Sequence, residues 1–259
     1  MTRPSPAIKF VNWLLAGITV LGCSAPVAAQ PPGLVVSVAA SLHPALAEIV
    51  GLYRAATGVS VSLNTGGSNT LARQIVAGAR AAVFVSADEA QMDVVEKAGR
   101  VVAGTRTRLV TNELAVVAPI DRAAPASLAE VLKGGVARIA MGEPGSVPAG
   151  VYGRRWLEHE GAWARLQPKV IPFPTVRAVL AAVEAGRVDA GIVYATDARE
   201  AAVRVVGRVP AKAHAYLNIV QPAAVIAGPD EAEGRRFLQF LQSPDARAVF
   251  ARRGFGRVE

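Results

Sequence analysis

The stretch VVSVAASLHPALAEIV, Val35 to Val50, changes period at its centre, and the same change recurs along the chain. From Val35 the residues are almost continuously apolar, as in a strand buried on both faces. Beyond Ser41, residues Leu42, Ala45, Leu46, Ile49, Val50 and Tyr53 fall on one stripe at the 3.6-residue period of a helix. A strand running straight into an amphipathic helix is half of a βα unit. A chain built from such units must bury a mostly parallel sheet under helices on both faces.

The units come in two series. Leu34 to Ala40 is the first strand; VSVSLNT, Val59 to Thr65, alternates as a second before the helical LARQIVAGA; AVFVSA and ELAVVAP add strands before Ile120. After DRAAPASLAEVLKGG the pattern restarts. Strand VARIAMG leads through EPGSVPAG into a helix near Ala149, and KVIPFP leads into TVRAVLAAVEAG with Val176, Val179, Leu180 and Val183 as its stripe. DAGIVYATDA reads as a strand and a turn, AAVRVVGRV and QPAAVIAG as strands, and two helices close the chain. The last begins at SPDA, with Ser243 as cap and Pro244 at the first helical position, and stops at Gly254. Neither series accounts for the 259 residues alone, so two lobes are expected. The final helices follow a return strand, which sends the chain back to finish on the first lobe. The expected division is residues 30–112 with 223–259 for lobe 1 and residues 113–222 for lobe 2.

Residues 1–29 stand outside this pattern. MTRPSPAIK is a basic n-region, FVNWLLAGITVLG an apolar h-region, and APVAAQ ends in a small-x-small cleavage pattern. This is an export signal, with cleavage expected after Ala29 to leave Gln30 first and the protein periplasmic. VLGC, ending at Cys23, offers a lipoprotein-type site instead, although Leu21 fits it poorly. With cleavage after Ala29 the mature chain loses its single cysteine, and with it disulfides, thiol catalysis and thiolate metal sites. The formal net charge of +8 raises the question of nucleic acid; removing Arg3 and Lys9 leaves +6. The remaining basic residues are scattered (GRRWLEHEG, EGRRFLQF, FARRGFGR) with few aromatics among them, which reads as solvated helix faces and no nucleic-acid partner.

In an open α/β sheet, ligands sit where strand C-terminal ends meet helix N-termini. This chain places Ser41, Ser68, Ala149, Val176 and Tyr194 at those joints, and all five are neutral. Helix N-termini present unpaired N–H groups and roughly half a positive charge. Several converging on one point make an anion site that needs no cationic side chain, and serine and tyrosine hydroxyls add donors. Taken singly, each has an ordinary use: Ser41 and Ser68 as N-caps, Pro148 before Ala149 as a helix starter, Val176 as the head of its stripe, Tyr194 as a core residue. Their recurrence at corresponding joints of both series favours a shared function.

The motifs VAASLHPAL, GGSNTLARQIVAGA, VFVSADEAQMD, VPAGVYGRRWLEHEGAW, TVRAVLAAVEAG, GIVYATDA and VFARRGFG resemble the molybdate-binding periplasmic proteins of ABC importers, in order and from Val35 to Gly254. The resemblance implies the two-lobed periplasmic-binding-protein fold, α/β, with the ligand in the interlobe cleft. It implies capture of a molybdate or tungstate oxyanion, delivery to an ABC transporter membrane permease, no cofactor, no enzyme activity and a monomer. Molybdenum would enter only as the bound oxyanion. The positions matching the family's site are Ser41 and Ser68 in the first lobe, and Ala149 and Val176 (through backbone N–H) and Tyr194 (through its hydroxyl) in the second. The chain departs from the family pattern at Ala82, where an aspartate is usual, at Gly66 and Gly67 ahead of Ser68, and at Thr175. None of these removes a donor. Ala82 bears on lobe stability and hinge behaviour.

Other readings fare worse. GGSNT has Thr70 where a G-x-S-x-G nucleophile elbow needs its second glycine, and His43, His159 and His214 lie in no motif that pairs one with Ser68. Tyr53, Tyr152, Tyr194 and Tyr216 are dispersed, unlike a metal-capturing cluster, and no phosphate loop ending in G-K is present. Within the binder class, sulfate, phosphate or phosphonate is the alternative ligand.

Overall fold

The computed structural model describes Met1 and residues 33–123, 125–209 and 216–258. The export signal with its sites at Cys23 and Ala29, and His214, lie outside the described residues.

Two five-stranded sheets carry the fold. The first contains β1 (Leu34–Ala39), β2 (Val61–Gly66), β3 (Val83–Val85), β4 (Thr107–Thr111) and β10 (Val220–Val225), in the order β2-β1-β3-β10-β4. The second contains β5 (Leu114–Pro119), β6 (Ile139–Gly142), β7 (Val170–Phe173), β8 (Ala190–Tyr194) and β9 (Val203–Val209), in the order β7-β6-β8-β5-β9. In each, the three strands at one end pair parallel, and a single strand, β10 or β5, runs antiparallel to both its neighbours. The mostly parallel expectation holds, with one antiparallel intruder per sheet at the same place in the order.

That intruder has a physical cause. The chain passes from β4 to β5 through Asn112 and Glu113 alone, too short a link for a parallel crossover. It therefore leaves the first sheet and enters the second directly, and β10 makes the reverse crossing. Asn112 is buried where these crossings meet. Its N–H donates to the Ile219 carbonyl at 3.1 Å, and its side-chain amide donates to Thr196 Oγ1 at 2.9 Å. Strand β10 belongs to the first sheet from Val220 onward.

Helices cover the sheets as the stripes require. In α1 (His43–Thr57) the buried residues are Ala45, Leu46, Ile49 and Tyr53, and Gly58 ends the helix at φ +75°, where a side chain would be strained. Helices α2 (Ser68–Val76), α3 (Glu89–Lys97), α9 (Glu231–Leu241) and α10 (Pro244–Arg252) accompany the first sheet. Ser243 caps α10 as expected, its Oγ accepting from the Ala246 N–H at 3.2 Å. Helices α4 (Leu128–Leu132), α5 (Pro148–His159), α6 (Trp163–Leu166), α7 (Val176–Glu184) and α8 (Ala195–Ala198) accompany the second. Two local readings change: the turn expected after Tyr194 is the single-turn helix α8, and Ser41 sits within a 3₁₀ turn, Ala40–Leu42, rather than at an α-helix cap. Ala82 is fully buried in the first sheet's core, where its N–H bonds the Val35 carbonyl and its carbonyl accepts from Ile226.

Candidate functional site

All five predicted residues line one cavity between the two sheets, of about 20 Å³, in company with Gly67, Ala87, Val147 and Thr175 among others. A space of that size holds one small species, far below the roughly 300–1,000 Å³ that drug-sized ligands occupy. No residue lining it carries a charge. Larger surface cavities exist, one of about 280 Å³ beside Arg247 and Phe250, but they lie away from these joints.

The joints explain the convergence. Strand β1 ends at Ala39 and delivers Ser41; β2 ends at Gly66 and Gly67 starts α2 at Ser68; β7 ends at Phe173 and Thr175 starts α7 at Val176. In the second sheet β6 leads through the loop 143–147 to Pro148, the first residue of α5, so that the next N–H belongs to Ala149. The first N–H groups of α2, α5 and α7 have no partner inside their own helices. Thr175 Oγ1 already accepts from the Ala178 N–H at 3.2 Å, which leaves the Val176 amide free of its own cap.

The hydroxyls are arranged to donate. Ser68 is buried, and its Oγ accepts the Ala87 N–H at 2.9 Å, so its own proton is available to a ligand. Ser41 is buried with an Oγ that has no hydrogen-bond partner, a costly state for a buried hydroxyl and the sign of a group awaiting one. Tyr194 is buried, its hydroxyl 3.4 Å from the Ala87 carbonyl across the cleft, a long contact that leaves the proton easily redirected. Burial, reinforced by Tyr152, Asp88 and Asp197, pushes the Tyr194 phenol well above its ordinary range, so it keeps its proton.

Further contacts cross between the two halves. Asn69 Nδ2 donates to Ser146 Oγ at 3.1 Å, and Arg253, which also binds Glu48, reaches Glu200 at 3.0 Å. Two buried carboxylates stand behind the neutral lining. Asp88 caps α3 by accepting from the Gln91 N–H at 2.9 Å, and burial lifts its pKa to about 6 against the pull of that bond, Ser86 and Arg155. Asp197, in α8, is pushed up to about 7 by burial, with Arg177 and the Tyr194 backbone amide opposing and Glu200 adding to the rise.

Ala87 is one of the lining residues that the sequence analysis did not single out. Its strand, β3, has three residues and its helix opens on the charged cap Asp88, so the joint lacked the neutral signature of the others. The two described histidines do not line the cavity: His43 pairs with Thr65 Oγ1 at 2.9 Å, and His159 stacks on Tyr216 at 4.1 Å. Among the described residues no group of three or more His, Cys, Asp or Glu is placed to hold a metal ion, and no helix is long and apolar enough to cross a membrane.

A family model described as bacterial extracellular solute-binding protein matches residues 34–256. The molybdate-binding protein ModA of Escherichia coli (strain K12) is 38% identical over 232 residues, covering 86% of this chain and 88% of that protein. A Bacillus subtilis protein named as an ABC transporter substrate-binding lipoprotein, YvgL, is 35% identical over 257 residues, 95% of this chain and 96% of its own length. Among solved structures, the periplasmic molybdate-binding protein of Azotobacter vinelandii superposes with a TM-score of 0.76 at 26% identity, over 87% of this chain and all (100%) of that one.

Proposed function

The chain belongs to the bacterial extracellular solute-binding proteins, and from that premise we propose that it captures molybdate or tungstate outside the cytoplasm and hands it to the membrane permease of an ABC importer. It is a transport binding protein and not an enzyme. The observation that carries the ligand reading is the small, wholly neutral cavity into which Ser41, Ser68, Ala149, Val176 and Tyr194 converge from both sheets. Micromolar binding requires about 8 kcal/mol. Hydrogen bonds to a charged group contribute about 1.5–3 kcal/mol each, so five positions supply roughly 8–15 kcal/mol before association costs.

Ser41 and Ser68 donate through their hydroxyls, Ala149 and Val176 through backbone N–H, and Tyr194 through its phenol. The first two belong to a lobe built on the first sheet, the other three to a lobe built on the second. The lobes comprise residues 30–112 with the C-terminal part of the chain, and residues 113 to the return ahead of position 220. No cofactor takes part, and molybdenum enters only as its oxyanion. The export signal places the mature monomer in the periplasm, with a lipid anchor at Cys23 as the other arrangement. Because the donors come from both lobes, the ion is fully held only with the cleft shut, and closure is what the permease reads.

Calorimetry of the mature protein with molybdate, tungstate, sulfate and phosphate tests this. Molybdate and tungstate should bind far more tightly than the other two. Equal or tighter binding of sulfate or phosphate would transfer the reading to those ions.

A further inference from the structure

Asp197 is a fully buried carboxylate, and neither of its oxygens has a hydrogen-bond partner. It shares a second, smaller cavity of about 10 Å³ with Ser41, whose Oγ is equally unpartnered. Such a space has room for about one water. The cavity lies directly behind the anion site, since Ser41 lines both.

The groups around Asp197 compensate it only in part: Arg177 and the Tyr194 backbone N–H favour its charged form, but neither makes a well-formed hydrogen bond to a carboxylate oxygen. Arg177, on α7, approaches Oδ1 only to 3.9 Å, beyond hydrogen-bond range. Arg253, at the end of α10, is held by Glu48 and Glu200, each at 3.0 Å. Glu200 adds a like charge, and Thr196 Oγ1 accepts from the Asn112 amide at 2.9 Å and makes no hydrogen bond to Asp197. Tyr194 and Tyr152 on the same side keep their protons.

A buried carboxylate in this position cannot stay ionised cheaply once a dianion arrives on the other face of Ser41. Both desolvation and the new like charge favour the neutral acid. We propose that Asp197 takes up one proton from solvent when a dianionic oxyanion is captured, and that the resulting carboxyl O–H supplies the donor that Ser41 Oγ lacks, directly or through one water. The site then binds a dianion and a proton together, and the Ser41 hydroxyl, its oxygen engaged from behind, turns its own proton toward the ion. The burial that already lifts Asp197 to about 7 in the ion-free protein acts in the same direction.

This inference rests on the oxyanion reading of the cleft, and the experiment separates the two. Molybdate binding is measured calorimetrically at pH 8 in Tris and in HEPES, whose protonation heats differ. The wild type should show an apparent enthalpy that depends on buffer by close to one proton per ion, and its affinity should fall about tenfold from pH 8 to pH 9. Asp197→Asn should show neither effect. An infrared difference spectrum of the wild type on adding molybdate should gain a protonated-carboxyl band, a readout that needs no variant. Heat of binding with no buffer dependence, or the same dependence in Asp197→Asn, overturns the proton while leaving the oxyanion reading intact. If tungstate or sulfate binds in place of molybdate, the same two buffers read the proton with that ion. No heat with any of these three or with phosphate overturns both.

Discussion

Gly67 packs against the other half near the cavity, and replacing it by alanine tests whether the cleft must shut to hold its ion. A Cβ built there would stand 2.8 Å from Asn69 Oδ1 and 3.0 Å from the Pro174 carbonyl oxygen, where ordinary contact begins at 3.4 Å. Asn69 is a side chain and can turn, at the cost of its 3.1 Å bond to Ser146. Pro174 is backbone in the other half, at the joint before Thr175 and Val176. Relief therefore requires the halves to part by about 0.4 Å, the shortfall from 3.4 to 3.0 Å. Every donor from one side then lengthens by a comparable amount. Overpacking of this kind costs about 1–3 kcal/mol, which weakens binding about 5- to 150-fold. The backbone itself accepts alanine, because Gly67 lies at φ −68° and ψ 137°, so the ion-free protein should fold normally. Gly51→Ala serves as the control, since nothing lies within 4 Å of its added Cβ. Calorimetry with molybdate gives the affinities and thermal melting without ligand gives the fold. Wild-type affinity in Gly67→Ala, with unchanged melting, would refute the shut cleft.

Three other outcomes follow from the same geometry. Ser41→Ala and Ser68→Ala should each weaken oxyanion binding by about 1–3 kcal/mol, read by calorimetry; Ser68→Ala should also lower ion-free stability, because it strands the buried Ala87 N–H bonded at 2.9 Å. Tyr194→Phe keeps the ring and removes one donor, so affinity should drop and small-angle scattering should show more of the open form at a given molybdate concentration; an unchanged radius of gyration in the wild type at saturation would argue for a preformed rigid site. Asp197 is raised from 3.8 to about 7, so the native state holds more protons than the unfolded chain in that window and stability falls as pH rises through it. At 1.36 kcal/mol per pH unit the ceiling is about 4 kcal/mol; urea unfolding from pH 5 to pH 8 should show the wild type losing stability relative to Asp197→Asn, and parallel curves would show that the carboxylate is relieved by a partner.

The parts of the site that could be read from sequence were those where two local signals coincide. Ser68, Ala149 and Val176 each stand where a period-2 or continuous apolar run gives way to a helical stripe, and Tyr194 ends a continuous apolar strand. That change of period is also what divided the chain into two series. Ala87 escaped although its strand was read, because the helix that follows opens on the charged cap Asp88 and the joint lacks the neutral signature of the others. Strand β4 escaped because TRLVT alternates weakly and owes its place to pairing with β10, over a hundred residues away. Asp197 looked like a turn residue. Its burial is a tertiary fact, produced by α8 folding against α7 and β5, and no local pattern announces it.

The neutrality of the lining has a consequence for discrimination among oxyanions of equal charge. The energy between two charges varies as the inverse of their separation, so moving from 4.0 to 4.3 Å changes it by only about 7%. A lysine in this cleft would hold a larger and a smaller dianion almost alike. Hydrogen bonds are less forgiving: a donor placed at 2.9 Å from an oxygen reaches the edge of the useful range, about 3.2 Å, after the same displacement. Ser41, Ser68 and the Ala149 and Val176 amides are fixed by 3₁₀ and helix starts on two separate sheets, and they cannot follow a smaller ion inward together. An ion that leaves donors unsatisfied recovers only part of the set of bonds, whereas the fitting one recovers all of it. On the proposed reading, selectivity comes from requiring all the donors at once.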